Sequence, residues 1–158
     1  MNATTLVLRQ HRKIQQRLDA LASDGYRRSR CLADLVDDMV THLVVEASLL
    51  YPAAQTALGT SLKAERALHG RAKDLVLQLA AAPPPGPAFL EKVRELATVF
   101  AAHVAHDERV LLPSMARALD ETKLDELGED MDRLSCALIA KSRPLQRTPG
   151  LRPSGRAA

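Results

Sequence analysis

Residues 42–46 read HLVVE, and residues 103–108 read HVAHDE. Each run puts a carboxylate four residues after a histidine and reaches a proline soon afterwards, Pro52 and Pro113. Residues four apart on a helix differ by about 40° of rotation, so His42 shares a face with Glu46, and His103 with Asp107. Glu65 and His69 repeat the pairing in reverse order, and His11 sits alone in an N-terminal apolar run. Imidazoles and carboxylates on facing helices are the donors from which metal centres in helix bundles are built. Two further residues test the pattern. His106 is turned about 60° from His103, onto a mostly polar face shared with Lys92, Glu95 and Arg109, and is expected in solvent. Glu108 is turned about 140° from His103 and misses the site in a regular helix. A π-type turn, a feature common at functional sites, would bring it in, so Glu108 stands as second choice behind Asp107.

The elements that must position these groups are helices. Apolar residues recur at spacings of three and four throughout. The spacing predicts helices over about 5–22, 28–58, 61–82 and 87–119, with a weaker helical segment over about 122–140. Ser23-Asp24-Gly25, Gly59-Thr60-Ser61 and the PPPGP run at 83–87 mark the breaks. Pro52 and Pro113 are expected to bend the second and fourth helices. Four long helices with short links predict an all-α fold: an antiparallel up-down four-helix bundle with a short C-terminal fifth helix. The domain spans 1–140. Residues 141–158, with three prolines and no periodicity, read as a disordered basic tail.

Writing out each seam locates the chemistry. The first helix gives Thr4, Val7, His11, Ile14, Leu18 and Leu21. The second gives Leu32, Leu35, Met39, His42, Glu46, Leu49 and Ala53. The third gives Leu58, Leu62, Glu65, His69, Ala72, Val76 and Leu79, and the fourth Leu90, Val93, Leu96, Phe100, His103, Asp107 and Val110. Every seam is apolar except near its middle, where it carries one histidine. Buried carboxylates and imidazoles without partners are costly, so something must compensate them. A hydrogen-bonded polar network is the plainer account of any one such histidine; one per helix, with carboxylates a turn away, favours a metal. Such a site is too rich for one tetrahedral zinc and too nitrogenous for calcium or magnesium. Mixed imidazole and carboxylate ligation suits iron or manganese. Two six-coordinate ions would need more positions than these side chains supply, leaving places for a small ligand.

Bulk properties exclude several other classes. Hydrophobic residues make up 46% of the 158 positions, enough for one core, and aromatics only 3%. The net charge of +3 arises from the tail, whose last 18 positions hold five basic residues and no acid; the rest carries 17 basic against 19 acidic residues. Nucleic-acid binding is therefore not expected. No stretch approaches the roughly 20 apolar residues of a membrane span, and the N-terminus lacks the pattern of a secretion signal. Cys31 and Cys136 form no C-x-x-C and read as reduced thiols of a cytoplasmic protein.

In LRQHRKIQQRLDAL around His11, HLVVEASLLYP from His42, the single His69 and HVAHDERVLLP from His103, the sequence resembles the hemerythrin-like family, the HHE cation-binding domain. The resemblance covers about residues 1–140 and extends to the final helix at KLDELGEDM. It implies two non-haem iron ions, with manganese or zinc ranked behind, and dioxygen, nitric oxide or peroxide as small ligand. By matching positions, His11, His42, His69 and His103 would be nitrogen ligands, and Glu46 with the acid after His103 would bridge the ions. The chain departs from the oxygen carriers, whose third helix offers two histidines; here Glu65 and His69 stand there, and Gln10 replaces the usual acid before the first histidine. It looks more like bacterial members linked to sensing, iron handling or stress defence than like a reversible carrier. A di-iron redox enzyme and a metal-free interaction module are the alternatives, and the protein partner is not legible.

Overall fold

The computed structural model describes residues 1–23, 28–81 and 86–142. Among them every regular element is helical: α1 (Ala3–Ser23), α2 (Arg28–Val45), α3 (Tyr51–Leu58), α4 (Lys63–Ala81), α5 (Pro87–His106), α6 (Leu112–Ala118) and α7 (Glu121–Ser142). Two five-residue π turns, Glu46–Leu50 and Asp107–Leu111, join α2 to α3 and α5 to α6, making two long continuous helices. The bundle's four long helices are thus α1, α2–α3, α4 and α5–α6.

Local chemistry sets the ends. The Asn2 carboxamide oxygen accepts from the Thr5 N–H at 2.9 Å, starting α1. Gly59 stops α3 at φ 64°, a left-handed value that glycine adopts without a Cβ clash, and its N–H donates to Gln55 O. Pro87 opens α5, where a missing N–H costs nothing. The Asp120 carboxylate accepts from the Lys123 N–H at 2.8 Å and caps α7.

α1 packs on α2 and α5, and α4 packs on the same two, which closes the four-helix square. The short links between consecutive helices make them antiparallel. α7 lies outside against α1, α2 and the first π turn. It comes close enough that a Cβ on Gly128 would lie 2.7 Å from the backbone nitrogen of Ala3. The core has two halves. One contains Ile14, Leu18, Met39, Val76, Leu96 and Phe100; the other contains Val7, Leu50, Tyr51, Leu62, Leu111 and Met115. His11, His42, His69 and His103 fall between them in sequence on each helix.

The third seam holds through Leu79, Leu90 at the start of the fourth is half-buried with Phe89 buried in its place, and the second and fourth seams shift by one residue after their carboxylates. Leu49 and Ala53 were expected inside, but Leu50 and Ala54 are fully buried. Val110 was expected inside and is 51% exposed, with Leu111 buried instead. The π turns are the cause. Each adds one residue to a turn, and the Tyr51 and Leu112 N–H groups donate five residues back, to Glu46 O and Asp107 O. The wider turn also gives each proline ring room that a regular helix denies it, so what precedes Pro52 and Pro113 is a widened turn.

α1 runs through Ser23, one residue past its expected end, and Lys141 and Ser142 continue α7 beyond the expected boundary. Residues 24–25, most of PPPGP and the tail from 143 lie outside the described residues. None of the described helices is long and apolar enough to cross a membrane.

Candidate metal centre

Each long helix delivers one histidine to a single level of the bundle. His11, His42 and His103 are 2%, 0% and 1% exposed, and Glu46 is completely buried. One ligand atom from each of these four lies within 4.8 Å of all the others. Glu46 is the hub. Its Oε2 lies 2.7 Å from His69 Nε2, 3.4 Å from His103 Nε2 and 3.6 Å from His42 Nε2. Its Oε1 lies 3.8 Å from His11 Nε2. His42 Nε2 and His103 Nε2 approach to 3.0 Å. Asp107 sits one turn beyond His103, 3.8 Å from its Nδ1.

The remaining sequence-selected acids are held differently. Glu108 is partly exposed, and its carboxylate accepts from His11 Nδ1 at 3.1 Å. That bond directs the His11 Nε2 lone pair toward Glu46. Glu65 is buried but accepts from His106 Nε2 at 2.7 Å, on the flank of the cluster. His106 is therefore half-buried and paired, where solvent was expected. Gln10 does for His42 what Glu108 does for His11: its carboxamide oxygen accepts from His42 Nδ1 at 3.2 Å. Gln10 in turn donates to Ser135 Oγ, and Ser135 to Met131 O, which ties α7 to the site. Fixing one ring nitrogen fixes the tautomer and aims the other.

The seams did not single out Tyr51 as a site residue, because it follows the first π turn. It is fully buried, its ring centroid is 4.7 Å from that of His69, and the Arg66 guanidinium lies over its outer face. The signal available in the sequence was a polar aromatic in an apolar run immediately before a proline. Phe100 closes the opposite side, with its centroid 5.7–6.0 Å from those of His11, His42 and His103.

Burial governs the electrostatics. It holds His42 well below the usual imidazole range, reinforced by His11, His103 and His69. It lowers His103 to about 2 and His69 to about 4, and lowers His11 against the opposing pull of Glu108. The four rings are neutral at pH 7, the form that binds metals. Burial raises Glu46 well above the carboxylate range and pushes Asp107 up to about 9, with Glu46, Glu65 and Glu108 adding to the latter.

This set of donors has the chemistry to hold a cation. Among the described residues, His11 Nε2, Glu46 Oε1, His103 Nδ1, both Asp107 oxygens and the Tyr51 hydroxyl are buried without a hydrogen-bond partner. Each such group costs about 1–3 kcal/mol when left unpaired. The cluster suggests metal binding, since a cation would satisfy the lone pairs together and favour the ionised carboxylates.

Comparison with known proteins agrees. The sequence profile described as "Hemerythrin HHE cation binding domain" matches residues 2–115. The crystal structure of a hemerythrin HHE cation-binding domain-containing protein from Mycobacterium kansasii superposes with a TM-score of 0.81, covering 96% of this chain and 95% of that one at 22% identity. At that identity the likeness shows the fold. No curated protein matches the sequence significantly.

Proposed function

The chain belongs to the hemerythrin HHE cation-binding domain family, and from that premise we propose that it is a non-haem di-iron protein of the cytoplasm that binds a small ligand in a sensing, iron-handling or stress-defence role. Dioxygen, nitric oxide and peroxide are the ligands in view. One observation carries the reading: four helices each aim a neutral histidine at one level, where all four approach the buried carboxylate of Glu46.

His11, His42, His69 and His103 would hold the ions with Glu46 between them, and Asp107 would complete the set. Asp107 suits ligation better than Glu108, because both its oxygens are buried and unpartnered. Glu108 and Gln10 keep His11 and His42 in the tautomer that offers Nε2 inward. Phe100 and the flanking leucines limit water at the centre. Bound there, an iron pair would supply reversible redox chemistry and open coordination positions.

Metal content of protein purified anaerobically from iron-replete cells, followed by an optical spectrum on air exposure, tests this. Near two irons per chain with new near-ultraviolet bands is expected. Protein that contains no iron and takes none up would leave Glu46 the hub of a buried polar network and sink the reading.

A second reading, turnover of peroxide or nitric oxide, is favoured by Tyr51. Its hydroxyl is buried beside the Glu46 carboxylate, whose ionised form it favours against burial, and Glu46, Asp107 and Glu65 are near enough to raise its own pKa further beyond what burial does. It is thus a protonated donor at the edge of the centre. Repeated turnover that slows in Tyr51→Phe at unchanged iron content would support this reading; a single stoichiometric reaction indifferent to Tyr51 would favour binding alone.

A further inference from the structure

We propose that the groove between α2 and α4 is the route by which a neutral, weakly polar diatomic molecule reaches the centre. The inference rests on the metal reading above. The groove has a volume of about 280 Å³. Val40, Leu43, Val44 and Leu77 form its sides, Gly70 lies at its edge, and His69 lines it. His69 is the most exposed of the four clustered histidines at 7%, and its Nε2 meets Glu46 at 2.7 Å. Its ring therefore links the groove to the hub.

Two features distinguish this groove from ordinary surface. Val44 and Leu77 are 36% and 49% exposed, large aliphatic side chains left in solvent beside a buried polar cluster. A Cβ added at exposed Gly70 would meet nothing within 4 Å, so the mouth of the groove beside α4 is open space that a larger side chain could occupy. The lining is mainly aliphatic, with Ser48 and Lys73 adding polar groups beside His69, and it favours dioxygen or nitric oxide over hydrated ions, because such walls replace few of the hydrogen bonds that a polar molecule gives up with water.

A second groove, of about 270 Å³ between α1, α2 and α7, differs in being flanked by ion pairs. The Arg9–Asp132 and Lys13–Asp38 ion pairs border it. It includes Gln10 and Ser135, which stand behind His42, so it meets the outer side of a ligand histidine.

Gly70→Leu tests the route. The added side chain has room, and removing a mid-helix glycine should not impair folding. On metal-free protein, methyl NMR under xenon pressure reads the groove directly, since apolar cavities take up xenon. Saturable shifts at Val44, Leu43 and Leu77 in the parent, lost in Gly70→Leu, are expected. On iron-loaded protein, stopped-flow mixing with nitric oxide should show association slowed about tenfold or more in Gly70→Leu, or about 1.4 kcal/mol of barrier, with dissociation slowed in proportion. Leu77→Ala should do the reverse. Xenon shifts absent from those methyls, or equal nitric oxide rates in parent and Gly70→Leu at equal iron content, would overturn the route. Protein that takes up no iron would defeat the di-iron reading alone, and the xenon experiment would still decide whether the groove admits an apolar gas.

Discussion

Replacing Asp107 with leucine should stabilise the metal-free protein while disabling the metal site. The two side chains have the same branched shape, so the exchange removes charge and polarity with little change in packing. Asp107 is fully buried and neither oxygen has a partner, so no donor is orphaned by its loss. Its carboxyl is pushed from 3.8 up to about 9, chiefly by burial. A folded-state pKa raised in this way penalises the native state increasingly as pH rises from the unfolded value to the folded one. The penalty is absent near pH 4, reaches about 4 kcal/mol at pH 7, and grows by about 1.4 kcal/mol per pH unit up to about pH 9. Removing it at pH 7 should raise Tm by roughly 10 °C, at about 2–4 °C per kcal/mol for a chain of this length. Urea unfolding of chelator-treated parent and Asp107→Leu at pH 5, 6, 7 and 8, followed by circular dichroism, gives the difference directly. The stability gain should widen with each step in pH, and the variant should fail to retain iron. A gain that is flat across these pH values, or a variant less stable than the parent at pH 8, would show that Asp107 is not a buried, unpaired carboxyl in the absence of metal.

The other expectations are briefer. Metal loading near pH 7 should release about one proton from Asp107, whose carboxyl stands at about 9 without metal, with Glu46, also raised by burial, adding to the count, because ligands must be ionised; titration calorimetry in buffers of differing ionisation enthalpy counts them, and the Asp107 contribution should shrink above pH 9. Each buried neutral histidine should cost the metal-free fold stability below about pH 6.5, where the unfolded chain protonates it and the fold does not; because Asp107 and Glu46 act in the opposite sense over the same range, the readout is the stability of the parent minus that of His103→Leu, which should fall from pH 6.5 to 5, and a difference flat over that range would contradict this. Glu108→Ala should weaken iron retention about 10–100-fold by freeing His11 Nδ1, with little effect on metal-free stability because the side chain is partly exposed; competition with a chelator measures it. Gly128→Ala should cost about 1–3 kcal/mol by forcing α7 away from the start of α1; a denaturation midpoint equal to the parent's would show that α7 has slack at that contact.

The bundle was legible because its information is periodic. Apolar spacing, the glycine break at 59 and the prolines gave the helices, and the seam test brought out His11, His42, His69 and His103 because a polar residue in an apolar stripe breaks a repeating pattern. Glu46 and Asp107 followed from the 40° offset of residues four apart. What lay beyond that rule was lost for a stated reason. The seam treats every turn as 3.6 residues, and a π turn adds one residue and about 100° of rotation to everything after it. Leu50 and Ala54 therefore replaced Leu49 and Ala53, and Leu111 replaced Val110.

The partners of the donors illustrate a different limit. Gln10, Glu108 and Ser135 act through hydrogen bonds between residues 32, 97 and 125 positions apart in sequence, and no local pattern marks such pairs. The π turns do have a signature, though it appears only in comparison. Glu46 and Asp107 each begin a π turn, each follows a clustered histidine by four residues, and each precedes a proline by six. A lone proline in a long helix indicates a bend; the same offset from a buried carboxylate on two facing helices indicates a shared device. The carboxylate is set on the inner face where the turn widens, the wider turn accepts the proline, and the proline keeps the turn from relaxing into a regular helix. The rotation that misplaced Leu49 and Ala53 in the seam is the same rotation that buries Tyr51 beside His69, so the step at which sequence periodicity failed is also the step that completes the site.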